Sequence, residues 1–182
     1  MKKILILFLL IFLVGCTTEV LEENEEIGSG TGFGAAENEK MDYTYKVKVE
    51  TNKGDFVIGL YEDTPLSTNN FLKLVEEGFY NSLTFHRYEP NFVIQGGDPS
   101  GDGTGGSSDT VNLEVIGKSH SRGTVGMARS NDPNSASSQF FVNLADNTFL
   151  DDGYTVFGDV LEGMDVVDEL RAGDTMNKVS ML

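Results

Sequence analysis

The stretch FHRYEPNFVIQGGD, residues 85–98, decides how the chain is interpreted. Most of it has the length and apolar content of two short β-strands. Arg87 and Gln95 nevertheless occupy positions where a strand among apolar neighbours would favour valine or isoleucine. Gly96 and Gly97 follow at once, and glycines at a strand end permit close approach of another backbone. The question is what a fixed cation and an amide do in such surroundings.

On both sides of this stretch, the sequence predicts mostly short strands. Eight segments have strand patterns: residues 43–50, 55–61, 83–88, 92–96, 124–128, 138–144, 154–160 and 176–181. One helix is predicted to open at Pro65, with Ser67 as its N-cap, and to end at Gly78; a shorter helix covers 164–172. Because strands and helices do not alternate regularly, an antiparallel barrel or sandwich is favoured over a doubly wound sheet.

The first sixteen residues have the pattern of an export signal. Lys2 and Lys3 precede an unbroken apolar run of 11 residues, from Ile4 to Val14. As a helix the run would reach only about 16 Å, roughly half the hydrocarbon thickness of a bilayer. It is therefore predicted to be a signal-peptide core and not a membrane span.

The apolar run ends at the single cysteine of the chain, Cys16. The sequence LVGC, residues 13–16, resembles the lipobox of prokaryotic lipoprotein signals, in which the cysteine is lipidated and the chain is cut before it. This resemblance implies an extracytoplasmic protein with a lipid anchor at Cys16, since two acyl chains hold a protein stably on a membrane surface. The alternative is an ordinary signal peptide with a chance cysteine near its cleavage site.

The next segment, residues 17–42, is acidic and glycine-rich. It holds eight acidic residues, one lysine and four alternating glycines without a sustained apolar period. We predict a disordered tether with an end-to-end distance of roughly 25–30 Å. Cleavage before Cys16 would leave 11 basic against 29 acidic residues, a net charge of −18. Nucleic-acid binding, which needs a basic surface, is therefore not expected.

Four other patterns do not indicate a functional site. The sequence GDGTGG, residues 101–106, matches the dinucleotide fingerprint in form, but no helix start follows it. The same loop lacks the calcium-binding pattern. His86 and His120 have no metal-ligand spacing, and no G-x-S-x-G elbow presents a serine nucleophile. We expect no metal and no cofactor.

Four blocks in order resemble the cyclophilins, a peptidyl-prolyl cis-trans isomerase family. The blocks are FHRYEPNFVIQGGD (85–98), GTGG (103–106), GMARSNDPNSASSQFFVNL (126–144) and FLDDGYTVFGDVLEGMDVVD (149–168). The resemblance covers residues 43–182 and is nearest to the compact prokaryotic branch. It implies a mainly β fold, a closed eight-stranded antiparallel barrel capped by two α-helices. It also implies an isomerase domain that works without a cofactor, and we expect a monomer.

The resemblance implies a catalytic role for Arg87. Amide resonance gives the X-Pro bond a rotation barrier of about 18–20 kcal/mol. Twisting the bond makes the prolyl nitrogen pyramidal and gives it a lone pair, to which a guanidinium can donate only in the twisted state. Arg87 stands where the family keeps that arginine. Taken alone, it could equally form an ion pair at a strand edge.

The resemblance also assigns the substrate site. The proline pocket of the family corresponds to Phe92, Val93, Phe141 and Leu150. Gln95 would hold the substrate backbone, and the backbone of Ala128 and Arg129 would hold the peptide as an added strand. The rim positions of the family correspond to Ser130, Gln139, Phe149 and Tyr154. Taken singly, the apolar members fit a core better than a pocket, and strict alternation would point Phe92 away from Val93.

Three positions depart from common family members. Arg129 replaces the usual asparagine, Phe149 stands where some members have tryptophan, and Tyr154 stands where some have histidine. These differences leave the substrate preference open.

The function expected from these patterns is isomerisation of X-Pro bonds in exported or surface proteins, which would assist their folding. The alternative is a lipid-tethered chaperone, or a module that binds proline-containing segments and isomerises them incidentally. Arg87 favours the enzyme, since a binding module needs the pocket but not the guanidinium.

Lipidation at Cys16 can be tested directly. Cys16→Ser removes the thiol that would carry the lipid, so the protein should leave the membrane fraction or accumulate as an uncleaved precursor. Isomerase activity per folded molecule should not change. The measurement is membrane fractionation with the mass of the processed chain; a variant that is processed and fractionates like the parent would rule out the lipobox.

Overall fold

The computed structural model describes residues 43–182, so the predicted export signal, Cys16 and the tether lie outside the described residues. The elements in chain order are β1 (Tyr45–Thr51), β2 (Gly54–Leu60), α1 (Pro65–Glu76), β3 (Phe85–Glu89), β4 (Val93–Gly96), β5 (Thr124–Met127), β6 (Phe140–Asn143), β7 (Val156–Glu162), α2 (Met164–Glu169) and β8 (Met176–Met181). The eight strands and two helices predicted from the sequence are confirmed. No helix in the described part is long and apolar enough to cross a membrane.

The strands form one antiparallel sheet in the order β3-β4-β6-β5-β7-β2-β1-β8. The prediction of a closed barrel is wrong, because the ladder is open between β3 and β8 and the sheet is a curled half-barrel. An isolated bridge between Thr84 and Thr175 and four backbone hydrogen bonds between residues 82–85 and 173–176 join these two ends without forming a ladder of paired strands. Ser82 (φ 67°) and Gly173 (φ 96°) have left-handed backbone on either side of the seam, a conformation outside the strand region.

The core lies between the sheet and α1. The ring of Phe71, on the buried face of α1, lies 4.9 Å from Tyr80, 5.4 Å from Phe140 and 5.3 Å from Phe157, measured between centroids. All four side chains are almost fully buried. Each burial contributes about 1.5–3 kcal/mol, and the tilted and edge-on ring contacts add to it. This cluster fixes α1 against the face of the sheet opposite the candidate site.

The N-terminus of α1 differs from the prediction. Ser67 is not the N-cap; the helix begins at Pro65, whose fixed φ suits the first helical position, and Thr64 precedes it. The Glu114 carboxylate, from a distant loop, accepts hydrogen bonds from the backbone N–H of Leu66 (2.9 Å) and Ser67 (2.8 Å) and from the Ser67 hydroxyl (2.7 Å). A residue 47 positions away therefore performs the capping that the sequence assigned to Ser67.

The C-terminus of α1 follows the prediction. Gly78 has left-handed backbone (φ 69°). Its N–H donates to the Val75 carbonyl at 3.0 Å, and the Phe79 N–H donates to the Leu74 carbonyl at 2.9 Å. This pair of bonds is the Schellman ending, which glycine permits without steric cost.

Loss of the distant cap should destabilise the fold. Glu114→Gln removes the charge and leaves one acceptor oxygen for three donors, so the free energy of unfolding should fall by about 0.5–2 kcal/mol. The measurement is urea unfolding followed by circular dichroism. Glu162→Gln, an exposed site on β7, makes the same change of net charge and is the control. Equal stability of both variants would contradict the capping role.

Candidate active site

A cavity of about 160 Å³ opens on one face of the sheet. Nine of the twelve site residues expected from the sequence line it: Arg87, Phe92, Val93, Gln95, Ala128, Arg129, Phe141, Leu150 and Tyr154. They come from β3, β4, β6, the end of β5 and the loop that precedes β7. The fold thus brings residues more than 60 positions apart into one concave surface that is apolar at its floor and cationic at its edges.

Strand register places the central residues side by side. Arg87 on β3 lies opposite Gln95 on β4, and Gln95 lies opposite Phe141 on β6. Directly opposed residues of antiparallel strands project to the same face. The next partner in the row is Gly126 on β5, where a Cβ would overlap the Phe141 ring. Glycine at this position therefore lets the ring lie across the sheet as part of the cavity wall.

A β-bulge at His86 turns Arg87 toward the cavity. Phe85 pairs with Gly96 and Arg87 pairs with Gln95, so His86 is an extra residue in β3 without a partner on β4. Without the bulge, Phe85 and Arg87 would project to the same face. With it, Phe85 is fully buried in the core while Arg87 reaches the opposite, exposed face.

The Arg87 guanidinium is fixed but accessible. Its Nη1 donates to Gln95 Oε1 at 3.2 Å, and its centre lies 5.5 Å from the Phe92 ring centroid. Glu89 Oε1 is 3.7 Å from Nε, with about half of each side chain exposed. This is the strand-edge ion pair that the sequence left open, and an exposed pair of this kind contributes about 0–1 kcal/mol. It leaves guanidinium N–H groups free to act on a ligand in the cavity.

A chain of amides continues from Arg87 to the glycine loop. Gln95 Nε2 donates to Gln139 Oε1 at 2.8 Å, and Gln139 Nε2 donates to the carbonyl oxygens of Gly103 (3.0 Å) and Gly105 (2.7 Å). In each amide, the oxygen accepts the hydrogen bond on the side of Arg87, and the nitrogen donates on the side of the loop. The carbonyl groups at the loop end therefore fix the orientation of both amides.

At Gly97, the second glycine of the pair that ends β4, steric crowding excludes a side chain. Gly97 has left-handed backbone (φ 85°), and a Cβ there would overlap the Ser138 carbonyl oxygen. The Ser138 hydroxyl donates to the Gly97 carbonyl at 2.7 Å. This close backbone contact carries the chain from β4 into the loop that follows it.

Phe92 lies outside β4, which resolves the conflict with strand alternation. Asn91 has left-handed backbone (φ 57°), and the Phe92 N–H donates back to the Glu89 carbonyl at 3.1 Å. Phe92 is thus a turn residue whose ring reaches the cavity beside Val93, while Ile94 is fully buried in the core.

The four rim residues expected from the sequence lie in three places, and Tyr154 is the one that lines the first cavity. Phe149 is 75% exposed and stacks on Phe92, with ring centroids 5.7 Å apart, but it does not line the cavity. Ser130 and Gln139 line a second cavity of about 330 Å³, which shares Gln95, Ala128 and Arg129 with the first. The two cavities are therefore adjacent along one groove.

The His120 ring packs against Phe141 of the cavity wall, a contact that was not predicted from the sequence. Its imidazole is fully buried and stacks under Phe141, with centroids 5.6 Å apart and planes at 19°. Nδ1 lies 3.2 Å from Asn143 Nδ2, and Nε2 lies 3.2 Å from the Tyr154 carbonyl oxygen. Asn143 Oδ1 accepts from Asn147, so Asn143 presents its NH₂ group to the ring.

These contacts define the protonation state of His120. Nδ1 accepts from Asn143, and Nε2–H donates to the Tyr154 carbonyl, which is the pattern of a neutral imidazole. Burial lowers the pKa of His120, although the Tyr154 carbonyl and Asp151 oppose this shift. No sequence spacing indicates this contact, because His120 and Phe141 meet only across β5 and β6.

His86, the extra residue in β3, differs from the hydrogen-bonded His120. Both of its ring nitrogens are buried without a hydrogen-bond partner among residues 43–182. Burial lowers the pKa of His86; Asp98 raises it and the neighbouring Arg87 lowers it further. Among the same residues, no three His, Cys, Asp or Glu side chains gather into a metal site.

Comparison with known proteins establishes the family. Residues 46–181 match the family model described as cyclophilin type peptidyl-prolyl cis-trans isomerase/CLD. A peptidyl-prolyl cis-trans isomerase of Acinetobacter baylyi is 45% identical over 68% of this chain and 70% of its own. Peptidyl-prolyl cis-trans isomerase B of Escherichia coli is 41% identical over 69% of this chain and 83% of its own. The chain belongs to the cyclophilin-type peptidyl-prolyl cis-trans isomerases, and its activity is the isomerisation of X-Pro bonds.

Solved structures agree with this family. The crystal structure of a Cryptosporidium parvum cyclophilin type peptidyl-prolyl cis-trans isomerase superposes with a TM-score of 0.71 and 27% identity, over 76% of this chain and 97% of that one. A second structure of that protein, determined in the presence of the dipeptide Ala-Pro, has a TM-score of 0.70 and 28% identity, over 75% and 98% of the two chains.

The two histidines should make stability depend on pH in mildly acidic solution. Their folded pKa values are lowered, so the unfolded chain binds protons more readily. Their contribution is fully present above the unfolded pKa of about 6.5 and is lost as the pH falls below it. The free energy of unfolding should fall by up to about 1.4 kcal/mol per pH unit for each histidine.

Urea unfolding between pH 5 and pH 8 measures this effect. The lowered pKa values of the aspartates act only near and below pH 4, so they do not obscure this window. His86→Gln removes one of the two titrating rings and should reduce the slope. A free energy of unfolding that stays constant from pH 7.5 to pH 5 would contradict the prediction.

Proposed function

We propose that this isomerase acts on X-Pro bonds of exported or surface proteins and assists their folding, with Arg87 as its catalytic residue. The observation that carries the proposal is the position of the Arg87 guanidinium at the edge of an apolar cavity, beside Gln95 in the adjacent strand. The activity follows from the family; the roles of individual residues are inferred from this geometry.

The apolar wall would hold the proline ring. Phe92, Val93, Phe141 and Leu150 surround a cavity of about 160 Å³, and a saturated five-membered ring gains its binding energy from burial against such surfaces. Burial of the ring does not itself distinguish planar from twisted amide. It serves to anchor the C-terminal side of the X-Pro bond so that rotation displaces the preceding residue.

Arg87 would supply the discrimination between the two states. In the planar amide the prolyl nitrogen lone pair is delocalised and accepts poorly; in the twisted state it becomes an acceptor. A guanidinium already held by Gln95 Oε1 and the Phe92 ring can donate to it without further ordering. Its planar fork can reach the adjacent substrate carbonyl as well. No proton is transferred, so rotation needs no acid or base.

Gln95 and the end of β5 would hold the substrate backbone. Gln95 faces the cavity with an amide whose orientation is fixed by Gln139. The Ala128 N–H already donates to the Gln139 carbonyl at 3.0 Å. Pairing of a substrate with this segment therefore falls to the Ala128 carbonyl and to Arg129, in the manner of an added strand.

The proposed location rests on the N-terminal sequence. The predicted export signal, the lipobox ending at Cys16 and the acidic tether support an enzyme held on the extracytoplasmic side of a membrane. Its substrates would be extended proline-containing segments of proteins that fold there. A module that only binds such segments is the rival function, and Arg87 distinguishes the two.

Arg87→Ala should lower the isomerisation rate by roughly 10²–10³, the usual loss for one preorganised transition-state donor. Peptide affinity should change much less, because the apolar wall remains. Arg87→Lys should restore activity only in part, since an ammonium cannot reach the nitrogen and the carbonyl together. The measurement is exchange NMR on a proline peptide, alongside binding constants.

The control is Lys46→Ala, which changes the net charge equally at an exposed position of β1. It should leave both exchange rate and affinity unchanged. Near-normal exchange in Arg87→Ala would reject the proposed mechanism and favour the binding module.

A further inference from the structure

Arg129 holds its charge in a fixed position at the rim of the cavity. Its Nε donates to the Gly153 carbonyl at 2.8 Å, and its Nη1 donates to the Ser130 carbonyl at 2.8 Å. The centre of the guanidinium lies 4.5 Å from the Tyr154 ring centroid. All of these partners are uncharged, so the contacts orient the cation without neutralising it.

Arg129 differs from the cations of the domain that form ion pairs. No carboxylate among residues 43–182 forms a salt bridge with it, whereas Arg122 pairs with Asp168 at 2.6 Å and Lys73 with Asp109 at 2.7 Å. The side chain is also half-buried. A partly desolvated cation gains most from an anion, and residues 43–182 supply none.

The surrounding groove is free of acid as well. Neither of the two adjacent cavities has an Asp or Glu in its lining, although both are lined by Arg129 and the first also by Arg87. The second cavity is lined instead by glycines, amides and hydroxyl groups, including those of Thr104, Ser107 and Ser130. The hydroxyl groups of Thr104 and Ser107 already donate to Asp102 Oδ1 (2.7 Å) and to the Asp109 carbonyl (3.3 Å), so the charged donor that this lining offers to a carboxylate is Arg129.

We propose that Arg129 is a specificity-determining residue, which selects proline segments that carry an aspartate or glutamate side chain within two residues of the proline. The inference rests on the proposed function, because it places the proline ring in the first cavity. An extended chain advances about 3.3 Å per residue. Side chains next to the proline therefore reach the residues that both cavities share, which include Arg129. A carboxylate there accepts charge-assisted hydrogen bonds from the free N–H groups of Arg129.

Preorganisation makes the selection effective. The two carbonyl groups and the Tyr154 ring hold the guanidinium before a substrate arrives, so little side-chain freedom is lost on pairing. The remainder of the domain is strongly acidic and repels an anionic peptide at long range. The preference is therefore local, and it weakens with salt because part of the groove is open to solvent.

The test uses two pairs of blocked peptides, Glu-Ala-Pro-Phe with Gln-Ala-Pro-Phe and Ala-Pro-Glu-Phe with Ala-Pro-Gln-Phe. Glutamine matches glutamate in shape but lacks the charge. For the full chain, kcat/KM from exchange NMR should favour glutamate by about five- to tenfold in at least one pair at 50 mM salt. The glutamate-to-glutamine ratio is the readout, so a general loss of activity cancels.

Arg129→Gln should bring this ratio close to one, and Arg129→Lys should keep part of the preference because its charge remains. Lys46→Gln changes the net charge by the same amount outside the groove and should leave the ratio unchanged. A ratio near one in the parent, a preference that survives in Arg129→Gln, or an equal fall in Lys46→Gln would each overturn the proposal.

A binding measurement separates this inference from the proposed function. In an Arg87→Ala background, dissociation constants for the peptide pairs should still favour glutamate. If exchange is unaffected by Arg87→Ala but the affinity ratio depends on Arg129, the catalytic mechanism fails and the specificity stands. If exchange falls as expected but neither kcat/KM nor affinity distinguishes the peptides, the specificity fails alone.

Discussion

The candidate site depends on one irregularity in strand pairing, the bulge at His86. A regular β3 would direct Phe85 and Arg87 to the same face, and one of them would then be misplaced. The extra residue places Phe85 in the core and Arg87 beside Gln95 on the cavity face. The cost is visible in His86 itself, whose ring nitrogens are buried without partners among residues 43–182. Strain or unsatisfied polar groups next to an active site are commonly tolerated for such a reason.

The rest of the site is rigid because it is connected to the core on one side and to a loop on the other. Phe141 rests on the buried, neutral ring of His120, which is in turn held by Asn143 and the Tyr154 carbonyl. On the other side, the two glutamine amides end on the carbonyl groups of the glycine loop. A transition-state donor is effective only if it does not need to reorganise. The geometry around Arg87 meets this condition, because Gln95 and the Phe92 ring already orient the guanidinium.

The glycine loop is itself ordered by a buried carboxylate. Asp98 is almost fully buried, and its oxygens accept from the backbone N–H groups of Ser100 (2.8 Å), Asp102 (3.1 Å) and Gly103 (2.6 Å). Burial alone would raise the pKa of Asp98, but these backbone donors outweigh it and the pKa is lowered. The sequence GDGTGG therefore forms an aspartate-centred turn that presents carbonyl groups to Gln139, and not a phosphate-binding loop.

The sequence by itself determined the elements and the family. Alternation and turn residues predicted all eight strands, the i, i+3, i+4 spacing predicted α1 and its end at Gly78, and four ordered blocks indicated a cyclophilin. These are local patterns, and local backbone preferences fix them. Tertiary structure decided what depends on distant partners: the open seam of the sheet, the capping of α1 by Glu114, the position of Phe92 in a turn, and the neutral state of His120. It also decided that Arg129 has no counter-ion within residues 43–182, because the pairing of charges depends on which side chains the folded sheet brings together and not on their order along the chain.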